Sequence, residues 1–114
     1  MSYSMKLFQD ELARCIQRLH SEGWLPNESM GEASVRDSGT GNVTISIKPG
    51  TIGVTDPAAY LGSDMPVVDS DGNYITHHAP CHENLLLHLA IYKARSDVSA
   101  IIHVYPLWTS MFTN

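Results

Sequence analysis

The segment that most constrains this chain extends from Pro80 to Tyr105, where the sequence predicts a helix, a turn and a short strand. Leu85, Leu89 and Tyr92 recur at spacings of four and three, which places them on one face of a helix. The run 99–104 is largely apolar and predicts a buried strand. A chain with this unit needs a sheet for the strand to join and a core for the helix to cover.

Two groups that carry chemistry lie at the ends of this unit. His82 or Glu83 is predicted to open the helix, where an acidic side chain suits the positive end of the helix dipole. His103 ends the predicted strand. A carboxylate at a helix start and a histidine at a strand end can converge on one point, which would be half of a metal site. The same residues also fit a capped helix on a core strand, with His103 hydrogen-bonded and inert.

The N-terminal part of the chain predicts a first helix over residues 4–22. Gly23 follows the last periodic residue and is typical of a helix end. The apolar positions that repeat with helical period, and are expected to face the core, are Leu7, Phe8, Leu12, Cys15, Ile16 and Leu19.

Three further segments predict strands. Residues 30–36 alternate apolar and polar side chains, as residues 43–48 do, and the polar, glycine-rich link 37–42 between them predicts an antiparallel hairpin. Residues 65–69 predict a third strand, which a turn at 70–73 connects to Tyr74 and Ile75.

Composition limits the class of protein. A chain of 114 residues is one domain at most, here residues 1–114, and it can bury roughly two thirds of its unfolded surface. The net charge of −5 without a basic cluster argues against a nucleic-acid surface.

No apolar run reaches the roughly 20 residues of a membrane span. Cys15 and Cys81 are too few for a disulfide framework. The N-terminus lacks a signal-peptide pattern, so the expected location is cytoplasmic.

Two motifs resemble a known family. The run H-L-A-I-Y, from His88 to Tyr92, and the run A-I-I-H, from Ala100 to His103, keep the separation found in the class II aldolase and adducin family. This resemblance implies an α/β fold, a three-layer α/β/α sandwich with a mostly antiparallel central sheet, incomplete here relative to the family. It also implies a zinc ion held by a glutamate, two strand histidines and a third histidine from much later in the chain.

The resemblance extends to the first strands and their loops, where family members hold a substrate phosphate. It implies phosphate-binding residues at the motif positions on residues 31–36 and in the loop 49–52. It further implies metal ligands and a general acid or base near the helix start and the strand end. The residues so indicated are Gly31, Ser34, Gly50 and Thr51 for the phosphate, His103, Glu83 and His82 for the metal, and Glu83, Tyr105 or Glu32 for catalysis.

The chain departs from the family pattern at four places. Tyr105 replaces the second strand histidine, and a neutral tyrosine is a poor zinc ligand. Glu83 lies one residue before the family's glutamate position, which holds Asn84. Glu32 replaces the asparagine of the family's G-N-x-S-x-R motif, where a carboxylate would repel a phosphate. The chain matches about the first half of a usual family member, so the region of the third histidine is not included.

Two hypotheses about function follow. The first is a zinc-dependent lyase of the aldolase type that acts on small phosphorylated sugars and is impaired in this short chain. The second is a non-catalytic, adducin-like interaction module without metal. A β-rich binding domain would leave the spacing from His88 to His103 unexplained. Without the rest of the family fold, apolar surface near Ile101, Trp108 and Phe112 would be left uncovered. That surface is expected either to pack against another copy, which would make the protein a homo-oligomer, or to be covered by further residues of a longer protein.

Overall fold

The computed structural model of the chain describes residues 3–25, 31–48, 59–76 and 80–104. These residues form two helices and a four-stranded antiparallel sheet with strand order β3-β2-β1-β4. Within these ranges, no helix has both the length and the apolar character that crossing a bilayer requires. The elements in chain order are α1 (Tyr3–Ser21), β1 (Gly31–Arg36), β2 (Val43–Ile45), a 3-10 turn (Gly62–Asp64), β3 (Val67–Val68), α2 (Leu85–Ala94) and β4 (Ala100–Val104).

Helix α1 ends as the sequence predicts. Gly23 has φ of +82°, and its N–H donates to the carbonyl of His20. The N–H of Trp24 donates to the carbonyl of Leu19, which completes a Schellman motif. The middle of the apolar stripe is buried as expected. Leu7 is an exception, since it lies in the first turns of the helix and is 39% exposed.

The predicted hairpin is confirmed, because β1 pairs antiparallel with β2 through Ser34 and Ile45. In the link between them, the N–H of Asp37 donates to the carbonyl of Asn42. Strand β1 also pairs with β4 and is therefore an inner strand of the described sheet. Both of its faces are covered, so Ala33 and Ser34 are each buried, whereas the alternating pattern predicted only one buried face.

The two helices lie on opposite faces of the sheet, because neighbouring residues of β1 contact different helices. Ala33 packs in a core cluster with residues of α1, whereas the Ser34 hydroxyl bonds side chains of α2. The predicted three-layer α/β/α arrangement is thus confirmed. The cluster on the α1 side comprises Leu12, Ile16, Leu25, Ala33, Ile47, Tyr60 and Met65, and the cluster on the α2 side comprises Val43, Ile45, Val68, Cys81, Leu89 and Tyr92.

Two sequence predictions about the helix–strand unit were wrong in detail. Helix α2 begins at Leu85 with Asn84 as its N-cap, not at His82 or Glu83, because the Leu85 N–H donates to the His82 carbonyl and closes a turn before the helix. Strand β4 is not largely buried, and Ile102 is 52% exposed. The reason is position, since β4 is an edge strand among the described residues.

The third predicted strand is shorter than expected. Only Val67 and Val68 pair with β2, and the turn after them brings Tyr74 back to Val68 as an isolated bridge. The Asp69 carboxylate accepts hydrogen bonds from the N–H groups of Asp71 and Asn73, which fixes this turn. These backbone N–H groups, together with the Asn73 side chain, hold the pKa of Asp69 below its ordinary value.

Candidate functional site

The site is built where β1 begins and β4 ends. Glu32 and His103 are direct partners across these two antiparallel strands. Side chains of such partners project from the same face of a sheet, and Ser34 shares that face two residues further along β1. Helix α2 covers this face. The register alone therefore brings a carboxylate, an imidazole and a hydroxyl under one helix.

The Glu32 carboxylate is the centre of the cluster, and its side chain is fully buried. The Nδ1 atom of His103 lies 2.8 Å from its Oε1 atom. The side-chain amide of Asn84 donates to Oε2 at 2.9 Å and to Oε1 at 3.3 Å. A buried carboxylate needs such partners, because removing an unpaired charge from water is strongly unfavourable.

Two more histidines approach the same carboxylate from α2 and from the turn before it. The Nδ1 atom of His82 lies 3.9 Å from Oε2 of Glu32, and the Nε2 atom of His88 lies 3.7 Å from the same oxygen. His82 Nδ1 also accepts the backbone N–H of Asn84 at 3.1 Å, which holds the turn together. These two imidazoles are buried, whereas the His103 side chain is 35% exposed.

A buried chain of hydrogen bonds fixes His88. The Ser34 hydroxyl lies 2.6 Å from His88 Nδ1 and 2.7 Å from the Tyr92 hydroxyl. If Tyr92 donates to Ser34 and Ser34 donates to His88, the proton of the neutral imidazole resides on Nε2 and faces the Glu32 carboxylate. The opposite arrangement would aim a lone pair at a negative charge. In the first arrangement His88 Nε2, which has no hydrogen-bond partner among the described residues, is a donor held 3.7 Å from Oε2 of Glu32, just beyond bonding distance.

Burial lowers the pKa of His88, and the nearby Glu32 carboxylate only partly opposes this effect. We therefore expect stability to fall as the pH drops below the ordinary histidine value of about 6.5, because the unfolded chain then binds more protons than the folded one. One such group contributes a slope of at most about 1.4 kcal/mol per pH unit. Urea unfolding between pH 7.5 and 5 measures this slope. The His88→Gln variant should show a shallower slope, and an unchanged slope would contradict the assignment.

The structure brings together some of the residues that the sequence indicated. Gly31, Ser34, His82 and His103 all lie at this end of β1 and β4 or beside it, whereas Glu83 is exposed in the turn before α2. The predictions for Gly50, Thr51 and Tyr105 lie outside the described residues. The individual roles of all these residues stay predictions.

The described side chains do not by themselves form a zinc site. In the four described ranges, no group of three or more His, Cys, Asp or Glu side chains is arranged to hold a metal ion. The oxygens of Glu32 are engaged by Asn84 and His103, and a catalytic zinc normally has three protein ligands. His103 remains a predicted ligand, but the described residues by themselves do not complete a zinc site.

Comparison with known proteins identifies the family of the chain. The sequence matches the family described as Class II Aldolase and Adducin N-terminal domain over residues 10–114. The chain belongs to the class II aldolase and adducin family. The resemblance seen in the two motifs of α2 and β4 is thereby confirmed.

Relatives of this aldolase-family chain include two curated proteins. It is 28% identical over 91 residues to a methylthioribulose-1-phosphate dehydratase from Granulibacter bethesdensis, a match that covers 76% of the chain and 37% of the relative. It is 38% identical over 68 residues to an L-fuculose phosphate aldolase from Methanocaldococcus jannaschii, a match that covers 55% of the chain and 36% of the relative. The matches thus span little more than a third of each relative.

Solved structures of the family share the fold. An L-fuculose 1-phosphate aldolase superposes with a TM-score of 0.78 at 24% identity, over 98% of this chain and 49% of that one. The L-fuculose 1-phosphate aldolase from Glaciozyma antarctica gives 0.74 at 20% identity, over 96% and 44%. At these identities the likeness establishes only the fold of this aldolase-family chain. The chain corresponds to a little less than half of each of those structures.

Sequence reasoning missed His88 and Asn84 as members of the site. A signal for His88 was present, because it lies three residues after Leu85 and four before Tyr92 and so shares their buried helical face. Glu32 was noticed as an unfavourable replacement beside a phosphate and as a candidate acid or base, but not as the partner of His103. Its contacts depend on the pairing of β1 with β4, which the sequence does not reveal locally.

Proposed function

We propose that this chain carries part of the active site of a class II aldolase-type lyase that acts on small phosphorylated sugars. Family membership supports the reaction class, and the two curated relatives are named for phosphorylated sugars. Because the chain covers only part of those relatives, the complete activity, a zinc ion and assembly into a homo-oligomer belong to the proposal as well.

The observation that carries the proposal is the His103–Glu32 pair. His103 is partly exposed, and the buried carboxylate lies directly behind it at 2.8 Å. Cleavage of a bond near a carbonyl group requires a proton to be removed from a hydroxyl group or a carbon atom and later returned. An imidazole held by a carboxylate can accept and return such a proton. The described residues are therefore assigned proton handling and substrate positioning, and no step through a metal is derived from them.

The test is turnover of phosphorylated ketoses by the purified protein, with and without added zinc. The panel includes L-fuculose 1-phosphate and methylthioribulose 1-phosphate, and ³¹P NMR detects the loss of substrate and the appearance of new phosphorylated products. We expect His103→Ala to lower the rate by at least about 100-fold, which is the usual contribution of a general acid or base. The control is Glu11→Gln, an exposed position on α1 that should leave the rate nearly unchanged.

A folded, zinc-supplemented protein that converts no member of the panel would contradict the enzymatic proposal. The alternative is a non-catalytic interaction module, which the exposed apolar side chains favour. Leu86 is 77% exposed at the start of α2, and Ile102 is 52% exposed on β4. Under this alternative, sedimentation equilibrium would give a mass above that of one chain, and His103→Ala would not change the amount of bound zinc.

A further inference from the structure

We propose that Glu32 and Asn84 form an exchanged pair, in which the site carboxylate is supplied by β1 and the amide by the start of α2, and that Glu32 positions the imidazole of His103. The proposal deepens the proposed function and rests on it for its catalytic consequence. The contact between Glu32 and Asn84 does not depend on turnover.

Two glutamates lie near the start of α2, and they differ in burial. Glu83 is exposed in the turn before α2, where water can solvate its carboxylate. Glu32 is fully buried, and nitrogen donors of Asn84 and His103 contact its two oxygens. Burying a carboxylate is costly unless hydrogen bonds and opposite charges compensate, so a buried and fully engaged carboxylate indicates a built site.

Glu32 and Asn84 are both departures from the family pattern. The pattern has an asparagine where this chain has Glu32, and a glutamate where it has Asn84. Taken separately, both replacements are unfavourable. The structure brings the two side chains into contact, with the Asn84 amide 2.9 Å from the Glu32 carboxylate. The site therefore still contains one amide and one carboxylate, and the two departures are a single exchange.

Either change alone would be unfavourable. With glutamate at both positions, two carboxylates about 3 Å apart would repel each other in a buried place, and one would have to take up a proton. With asparagine at both positions, His103 would face an amide in place of a charged acceptor, and charged acceptors form the stronger hydrogen bonds. The two substitutions are therefore expected to be coupled.

The consequence of the exchange concerns His103. A carboxylate only accepts hydrogen bonds, so Nδ1 of His103, at 2.8 Å from Glu32 Oε1, carries the proton. The Nε2 atom of the neutral ring is then the acceptor, and it is the atom suited to receive a proton from a substrate or to bind a cation. Glu32 does not reach solvent, so it is a positioning residue that acts through His103.

Two measurements test this inference. The first is the thermal midpoint of Glu32→Asn, Asn84→Glu and the double variant that restores the family order, with Glu83→Gln as the matched control. We expect each single change to lower the midpoint by about 5 °C or more, since about 1 kcal/mol corresponds to that shift in a domain of this size. The midpoint of the double variant should lie well above the value expected from adding the two losses. The midpoint of the control should equal that of the wild type.

The second measurement is the ¹⁵N chemical shifts of the His103 ring, which distinguish the two neutral tautomers at fixed pH. We expect the Nδ1–H form in the wild type and in Glu83→Gln, and a mixture in the conservative Glu32→Gln variant. Additive losses in the double variant, or an unchanged His103 tautomer in Glu32→Gln, would overturn the inference. Both readouts are independent of turnover, so failure of the lyase assay would contradict the proposed function and leave this result standing.

Discussion

Replacing Arg36 with methionine is expected to lower the free energy of unfolding by about 3 kcal/mol, because one guanidinium group holds the end of α2 against β1. The substitution keeps most of the aliphatic stem and removes the charge and every donor. A cation at the C-terminus of a helix is favourable, and hydrogen bonds from charged donors are the stronger ones. The carbonyl groups that lose this donor are those of Tyr92, Arg95, Ser96 and Val98.

Urea unfolding at neutral pH measures the loss, and two variants serve as comparisons. Arg36→Lys keeps the charge but offers a single ammonium group, so it should recover only part of the stability. It also lacks the planar group that stacks on the Tyr92 ring at 4.7 Å. Arg14→Met removes an exposed arginine from α1 and should cost a few tenths of a kcal/mol. Equal losses in Arg36→Met and Arg14→Met would contradict the anchoring role.

Sequence reasoning was reliable for local structure. Periodicity identified α1, the hairpin and the buried face of α2, because each depends on side chains a few residues apart. The start of α2 was misplaced by two or three positions. The reason is a hydrogen bond from Leu85 N–H to the His82 carbonyl, which uses residues 82–84 for a turn where an acidic helix start was expected.

The candidate site was harder to predict, because its geometry depends on contacts between distant parts of the chain. Glu32 and His103 are 71 positions apart, and only the β1–β4 register makes them partners. Motif comparison located most of the participants one at a time. It indicated Glu83 and Glu32 separately, because a pattern compares single positions and does not show that Glu32 and Asn84 touch. Local patterns therefore predicted the scaffold, and tertiary contacts determined which side chains form the site.

Replacing Gly31 with alanine is expected to lower the free energy of unfolding by about 3 kcal/mol and to disturb the site next to it. Gly31 has φ of +144°, a conformation that side-chain-bearing residues rarely adopt. A Cβ atom there would overlap the backbone carbonyl oxygen of His103 and crowd the Cα atom of Val104 at 3.1 Å. The two strands would have to separate at the end where Glu32 meets His103, so the 2.8 Å contact should lengthen.

The Gly41→Ala variant separates the cost of the backbone conformation from the cost of crowding between β1 and β4. Gly41 also has a positive φ, of +79°, but a Cβ atom there would meet no other atom within 4 Å. Its replacement should cost about 1 kcal/mol, the penalty for the backbone conformation alone. The difference between the two variants then measures the crowding between β1 and β4. If Gly31→Ala costs no more than Gly41→Ala and leaves the ¹⁵N shifts of the His103 ring unchanged, close approach of the strands is not what positions His103 against Glu32.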